Sequence, residues 1–171
     1  MRTSRITLAL TTAAAALVLG AVAAPGQALA ETRPHWDTAI VTVHVADKTA
    51  WGHTDVAGSL AGWSQVVPMV LTDDPDADVV LDSGATQDAA PTAYPVTDGS
   101  RITACRVTLP TRLAGTDATF VLPHELGHCL GLTHEEQTGA PSVMYWVAGG
   151  DAFAPTPTAG DLRVLRGVYA L

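Results

Sequence analysis

Apolar and polar positions divide this chain into two regimes. From Ile6 to Ala24 runs an apolar stretch without a single charge. From residue 39 onward, short apolar runs alternate with polar breaks. Ala39–Ala46 (AIVTVHVA) is rich in β-branched residues and bounded by polar ones, which predicts a strand. Thr54 is placed to cap a helix through Asp55–Gln65, with Val56, Leu60 and Trp63 near one face. Val66–Leu71 and Ala77–Leu81 read as two short strands around the acidic turn Asp73-Asp74-Pro75-Asp76. Residues 82–100 are mostly Ser, Thr, Asp, Pro, Gly and Ala, the composition of a long loop. Ile102–Leu109 (ITACRVTL) alternates as a strand does. A helix is expected from Thr116 or Asp117 to about Leu130, then an irregular segment over 135–157. Thr158 caps a last helix with Asp161 at its third position and Leu162, Leu165 and Tyr169 on its apolar face. The order is that of one mixed α/β domain with its strands in the N-terminal half.

The first apolar stretch changes what the composition means. Arg2 and Arg5 precede it, Pro25 and Gly26 break it, and Ala28-Leu29-Ala30 places small residues where a signal peptidase cuts. Residues 1–30 therefore read as a secretory signal peptide and residues 31–171 as the folded domain. The competing reading, an uncleaved membrane anchor, is weakened by the many Ala and Thr residues, which insert poorly. The expected product is secreted and extracellular, with no stable membrane association after cleavage. Removing residues 1–30 takes away two Arg and no acid. The remaining 141 residues carry seven basic and seventeen acidic groups, so the charge falls from −8 to −10. Such a charge excludes electrostatic capture of nucleic acid or an anionic membrane. The size suits a monomer with its own core. Cys105 and Cys129 are the two cysteines. Outside the cytosol an even number favours one disulfide, with two buried thiols as the alternative.

The chemistry lies in His124-Glu125-Leu126-Gly127-His128-Cys129-Leu130-Gly131-Leu132-Thr133-His134, an HExxHxxGxxH pattern. His124 and His128 stand at i and i+4 on a helix, so both imidazoles can reach one Zn²⁺. Glu125 lies about 100° round the helix, placed to act as general base rather than ligand. Gly131 can end the helix in a left-handed conformation and turn the chain so that His134 approaches the same ion. Three His leave a fourth position open, the pattern of a catalytic zinc.

This signature resembles that of the metzincin metallopeptidases, and is closest in wording to the matrixins. Ser142-Val143-Met144-Tyr145 is similar to their Met-turn, where Met144 would floor the metal site. Trp63, the run Ala77-Asp78-Val79-Val80-Leu81 and a closing helix ending in Tyr169 agree more weakly. Small size and leader are also similar to snapalysin, which however carries Asp where His134 stands. The resemblance implies an α+β fold: a twisted, mostly parallel N-terminal sheet with an antiparallel edge strand, two long helices, and a short C-terminal part with Met-turn and final helix. It implies a zinc endopeptidase acting on protein or peptide, with one catalytic Zn²⁺ on His124, His128 and His134 and Glu125 as the base. Strand Ile102–Leu109 would form the cleft edge to which an extended peptide adds. A Cys105–Cys129 bridge would then staple that edge to the zinc helix. Residues Glu135–Trp146 would shape a side-chain pocket with Trp146 as a wall or as core packing, and Tyr145 receives no catalytic role.

Other residues change this picture little. Asp74, Asp76 and Asp78 alternate, with Asp82 beyond, a pattern open to Ca²⁺, but Val79 and Ala85 break the EF-hand spacing and favour a solvated turn. Residues 82–100 hold no His, so the structural zinc of matrixins is not carried over. His35, His44 and His53 are isolated. Two other functions stay open: a non-catalytic secreted zinc-binding module of the same fold, and a metal-dependent amidase. Glu125 favours the enzyme, since a pure binding site needs no base.

Overall fold

The structure is a computed structural model describing residues 33–84, 90–116, 118–134, 141–145 and 154–170. Residues 1–32, on which the expected signal peptide falls, Asp117, Trp146 and much of 135–157 lie outside these residues. Five strands form one sheet: β1 (Val41–Val45), β2 (Met69–Thr72), β3 (Val79–Gly84), β4 (Thr92–Asp98) and β5 (Arg101–Pro110). Their order is β2-β1-β3-β5-β4. The β1·β2, β1·β3 and β3·β5 pairs are parallel, and β4 alone runs antiparallel, against β5. The helices are α1 (Val56–Trp63), α2 (Leu122–Cys129) and α3 (Ala159–Val168). This is the α+β arrangement with a mostly parallel sheet and an antiparallel edge strand that the signature implied.

Alternation builds the core. Val41 and Val43 of β1, Val79 and Leu81 of β3, and Val107 and Leu109 of β5 are all fully buried. They meet Leu60 and Trp63 of α1 and Leu122 and Leu126 of α2 in a single cluster. Each such side chain contributes roughly 1.5–3 kcal/mol on leaving water.

Several boundaries move for identifiable reasons. Asp55, not Thr54, caps α1, its carboxylate accepting from the Gly58 N–H at 2.9 Å. Thr54 instead accepts from the Ala118 N–H. Val66 and Val67 do not open the second strand, because their amides turn back onto the Trp63 carbonyl and β2 starts only after Pro68. Helix α2 begins at Leu122 rather than near residue 116, with Pro123 in its first turn, where a missing N–H costs nothing. All three helices are thus short, of eight, eight and ten residues. The last is the expected one: Thr158 and Asp161 form its capping box.

The largest correction concerns residues 82–100. They contain β4, and β4 is the edge of the sheet. Strand Ile102–Leu109 is β5, hydrogen-bonded on both sides, so it is not the cleft edge. Pro95 disguised β4, yet proline is tolerated on an edge strand because no neighbour needs its N–H. The four aspartates are not gathered in one place. Asp78 accepts from the Thr42 amide and hydroxyl, Asp82 pairs with Arg106, and Asp74 accepts from the Asp76 amide.

Cys105 of β5 and Cys129 at the end of α2 form a disulfide, both fully or almost fully buried. It joins the sheet interior to α2 across 24 residues. Titration of the denatured, unreduced protein should find no free thiol; two thiols would refute the bridge. Replacing both cysteines by alanine should lower the unfolding free energy by about 3.5 kcal/mol in the chain-entropy model, read from denaturant midpoints.

Candidate metal centre

Helix α2 carries His124 and His128 one turn apart, with their ring centroids 4.8 Å from each other. The helix stops in a Schellman turn. The Leu132 amide reaches back to the Gly127 carbonyl (2.9 Å) and the Gly131 amide to the His128 carbonyl (3.0 Å). Gly131 takes φ +91°, and a Cβ there would lie 1.9 Å from the Pro34 carbonyl oxygen. Only glycine satisfies both conditions. The chain thereby reverses and returns His134 to the helix.

The three Nε2 atoms form an even triangle with every side 3.2 Å. Tetrahedral zinc with bonds of 2.0–2.1 Å would place its nitrogens about 3.3–3.4 Å apart. The donor set therefore fits such an ion. Backbone carbonyls set two of the tautomers. His124 Nδ1 lies 2.7 Å from the Val143 oxygen and His128 Nδ1 2.9 Å from the Leu132 oxygen. A nitrogen facing a carbonyl must carry the proton, which leaves the Nε2 lone pair for a metal. Burial pushes His124 below its ordinary pKa; the Val143 carbonyl opposes this only in part, and the His134 imidazole adds a smaller lowering. Burial likewise takes His128 down to about 4. Both rings are neutral at pH 7, as ligands must be. Among the described residues this triad is the one group of three or more His, Cys, Asp or Glu side chains arranged to hold a metal ion.

Glu125 is 6% exposed. Burial raises its pKa to about 7, opposed by a hydrogen bond from the backbone N–H of Ala93 on β4. It borders an apolar-walled cavity of about 670 Å³ that includes the triad, Ala93, Phe120, Ile102 and Tyr145.

The turn bearing Met144 underlies this arrangement. Met144 is buried against α2, so close that a Cβ on Gly127 would come within 2.2 Å of its Sδ and 3.1 Å of the Trp63 ring. Asp161, 4% exposed, holds the turn. It accepts from the Ser142 hydroxyl and the Val143 amide while also capping α3. The capping pattern revealed Asp161, but its second role had no signal in the sequence. Two further supports were not legible. The Trp36 indole donates to the Cys129 carbonyl at 2.8 Å, and the Tyr169 hydroxyl donates to that of Leu130 while accepting from the Trp36 amide. They satisfy carbonyls that the end of α2 leaves without helical partners. Trp146 lies outside the described residues.

In a helix, alanine is favoured over glycine by roughly 1 kcal/mol. At position 127 the overlap with Met144 and Trp63 should cost about 1–3 kcal/mol. Gly127→Ala is therefore expected to lower the melting temperature; a rise would show that Met144 moves aside freely. Burial also pushes Tyr169 up to about 12 from 10.0, and the Trp36 N–H pulls it back only in part. A raised acid favours the folded state while it stays protonated, so its contribution is present below pH 10 and is lost as pH rises through about 12. Tyr169→Phe should cost about 1 kcal/mol at neutral pH and should flatten the fall in stability between pH 10 and 12 relative to the parent. An unchanged slope would refute the assignment.

The comparison with known proteins agrees with this geometry. A search of curated proteins gave no match. The family model of the matrixins, peptidase family M10, matches residues 20–170, nearly the whole chain. The chain belongs to the matrixins, a family of zinc metallopeptidases.

Proposed function

We propose that this matrixin is a secreted zinc endopeptidase in which Glu125 acts as the general base. The reading rests chiefly on one observation: three Nε2 atoms meet within 3.2 Å of one another while a buried carboxylate follows the first ligand by one residue. His124, His128 and His134 would hold the zinc, which supplies Lewis acidity to a water and to a carbonyl oxygen. The Glu125 carboxylate takes a proton from the attacking water as the new C–O bond forms. It then gives that proton to the departing amine nitrogen as the C–N bond breaks. Among the described residues no strand pairs with the outer side of β4, which offers an extended peptide a place to add as a further strand beside α2. Arg2, Arg5, the uncharged run to Ala24 and Ala28-Leu29-Ala30 support export with cleavage before Glu31.

Purified protein should cleave casein or members of a peptide library, lose that activity to a chelator and regain it with zinc. Glu125→Ala should keep its zinc content while losing about 10²–10⁴-fold in rate. Equal cleavage by the variant would refute the mechanism. Stoichiometric zinc without cleavage of any substrate would favour a binding module instead.

A further inference from the structure

Two threonines outside the cleft hold the chain where it enters α2. The Ala118 N–H donates to Thr54 Oγ1 at 3.1 Å, and the Asp55 N–H donates to Thr119 Oγ1 at 3.2 Å. Each threonine thus accepts from the backbone beside the other, which makes a reciprocal latch between the chain before α1 and the chain before α2. The Gly115 N–H adds a third tie, to the Ala50 carbonyl at 2.9 Å. The α1 side of the latch is itself fixed. Trp51 is buried and its indole donates to the Asp82 carbonyl. Asp47 accepts from the Thr49 and Ala50 amides, and the Thr54 amide donates to the Trp51 carbonyl.

Phe120 follows the latch directly. The carbonyl of Ala118, a buried residue, receives the Val121 and Leu122 amides at 2.9 and 3.0 Å. The turn that carries Phe120 therefore starts from the residue that Thr54 holds. Phe120 is 56% exposed, and it belongs neither to the core cluster nor to the side chains packed against that cluster. It lines the cavity together with Val121, whereas Thr54 and Thr119 do not line it. Packing places a core aromatic; this one is placed by its backbone.

We propose that Thr54 and Thr119 are positioning residues for substrate selectivity: their latch fixes Phe120 in the cavity wall, where the ring covers a large apolar side chain of the bound peptide. The inference rests on the peptidase reading and concerns how that site selects. An exposed aromatic ring beside an apolar-walled cavity gains burial when a large apolar group lies against it. A loose backbone would spread the ring over several positions, and part of that gain would be lost to ordering it. A purely structural latch would change stability alone and leave selectivity where it was.

The test compares peptides that differ at one position, leucine or phenylalanine against alanine, taken from a library offered to the wild-type protein. Selectivity is the ratio of kcat/KM for the large and the small residue. Thr54→Val and Thr119→Val should each lower it about fivefold, through a higher KM for the large-residue peptide at constant kcat. Thr54→Ser and Thr119→Ser keep the hydroxyl and should restore the wild-type ratio. The Asp55–Thr119 bond is exposed, so Thr119→Val tests the latch even where Thr54→Val fails to fold. Phe120→Ala should lower the ratio at least as far, and adding Thr119→Val to it should lower it no further, because the latch acts through the ring. The same ratio is read as binding, by fluorescence anisotropy, in zinc-loaded Glu125→Ala protein. Cleavage of no peptide would refute the peptidase reading, whereas the binding ratio judges the latch by itself. An unchanged ratio in folded Thr119→Val protein, an undiminished effect of that substitution in the Phe120→Ala background, or absence of any binding preference for the large residue would each overturn the proposal.

Discussion

Three imidazole lone pairs aimed at one point repel one another unless a cation stands between them. The fold must hold them there, and most of its local peculiarities serve that demand. The imidazole protons of His124 and His128 are bound by backbone carbonyls of two turns, at Val143 and Leu132. Backbone carbonyls cannot rotate away as side chains can, so the ring orientations follow from the course of the chain. The first turn is kept in place by Asp161, which also starts α3. The second is the glycine turn at Gly131, pressed against Pro34.

The surrounding architecture stabilises the same point from three sides. Trp36 and Tyr169, from opposite ends of the domain, satisfy carbonyls at the end of α2. Met144 closes the underside against Gly127. The Cys105–Cys129 bridge fastens the helix to the sheet. Domains are stable by only about 5–15 kcal/mol in all, so a bridge contributing about 3.5 kcal/mol is a large share. Each helix-end hydrogen bond adds only about 1 kcal/mol, and its effect lies more in where it puts the chain. Burial around the site keeps His124 and His128 neutral and Glu125 easily protonated, three consequences of one apolar surround.

Much of the site was legible because its determinants are local. The HExxHxxGxxH spacing encodes two helical ligands, a neighbouring carboxylate and a turn, each a property of eleven consecutive residues. The capping box at Thr158 and Asp161 and the strand at Val41–Val45 are equally local. The strand at Thr92–Asp98 was not, since its composition is that of a loop and only pairing with β5 makes it a strand. The start of α2 was placed too early because the segment before Pro123 has helical-looking residues and no strong stop.

The sequence by itself determined the grouping of His124, His128 and His134, the carboxylate beside the first of them, the need for glycine at position 131 and the likeness to the matrixins, since those depend on spacing along one short segment. Tertiary structure decided which strand is the edge, which carbonyls aim the imidazoles, and that Asp161, Trp36, Tyr169 and Ala93 belong to the centre. Those choices join residues as far as 133 positions apart. Closing such distances depends on burial of the whole core, and no local pattern carries that information.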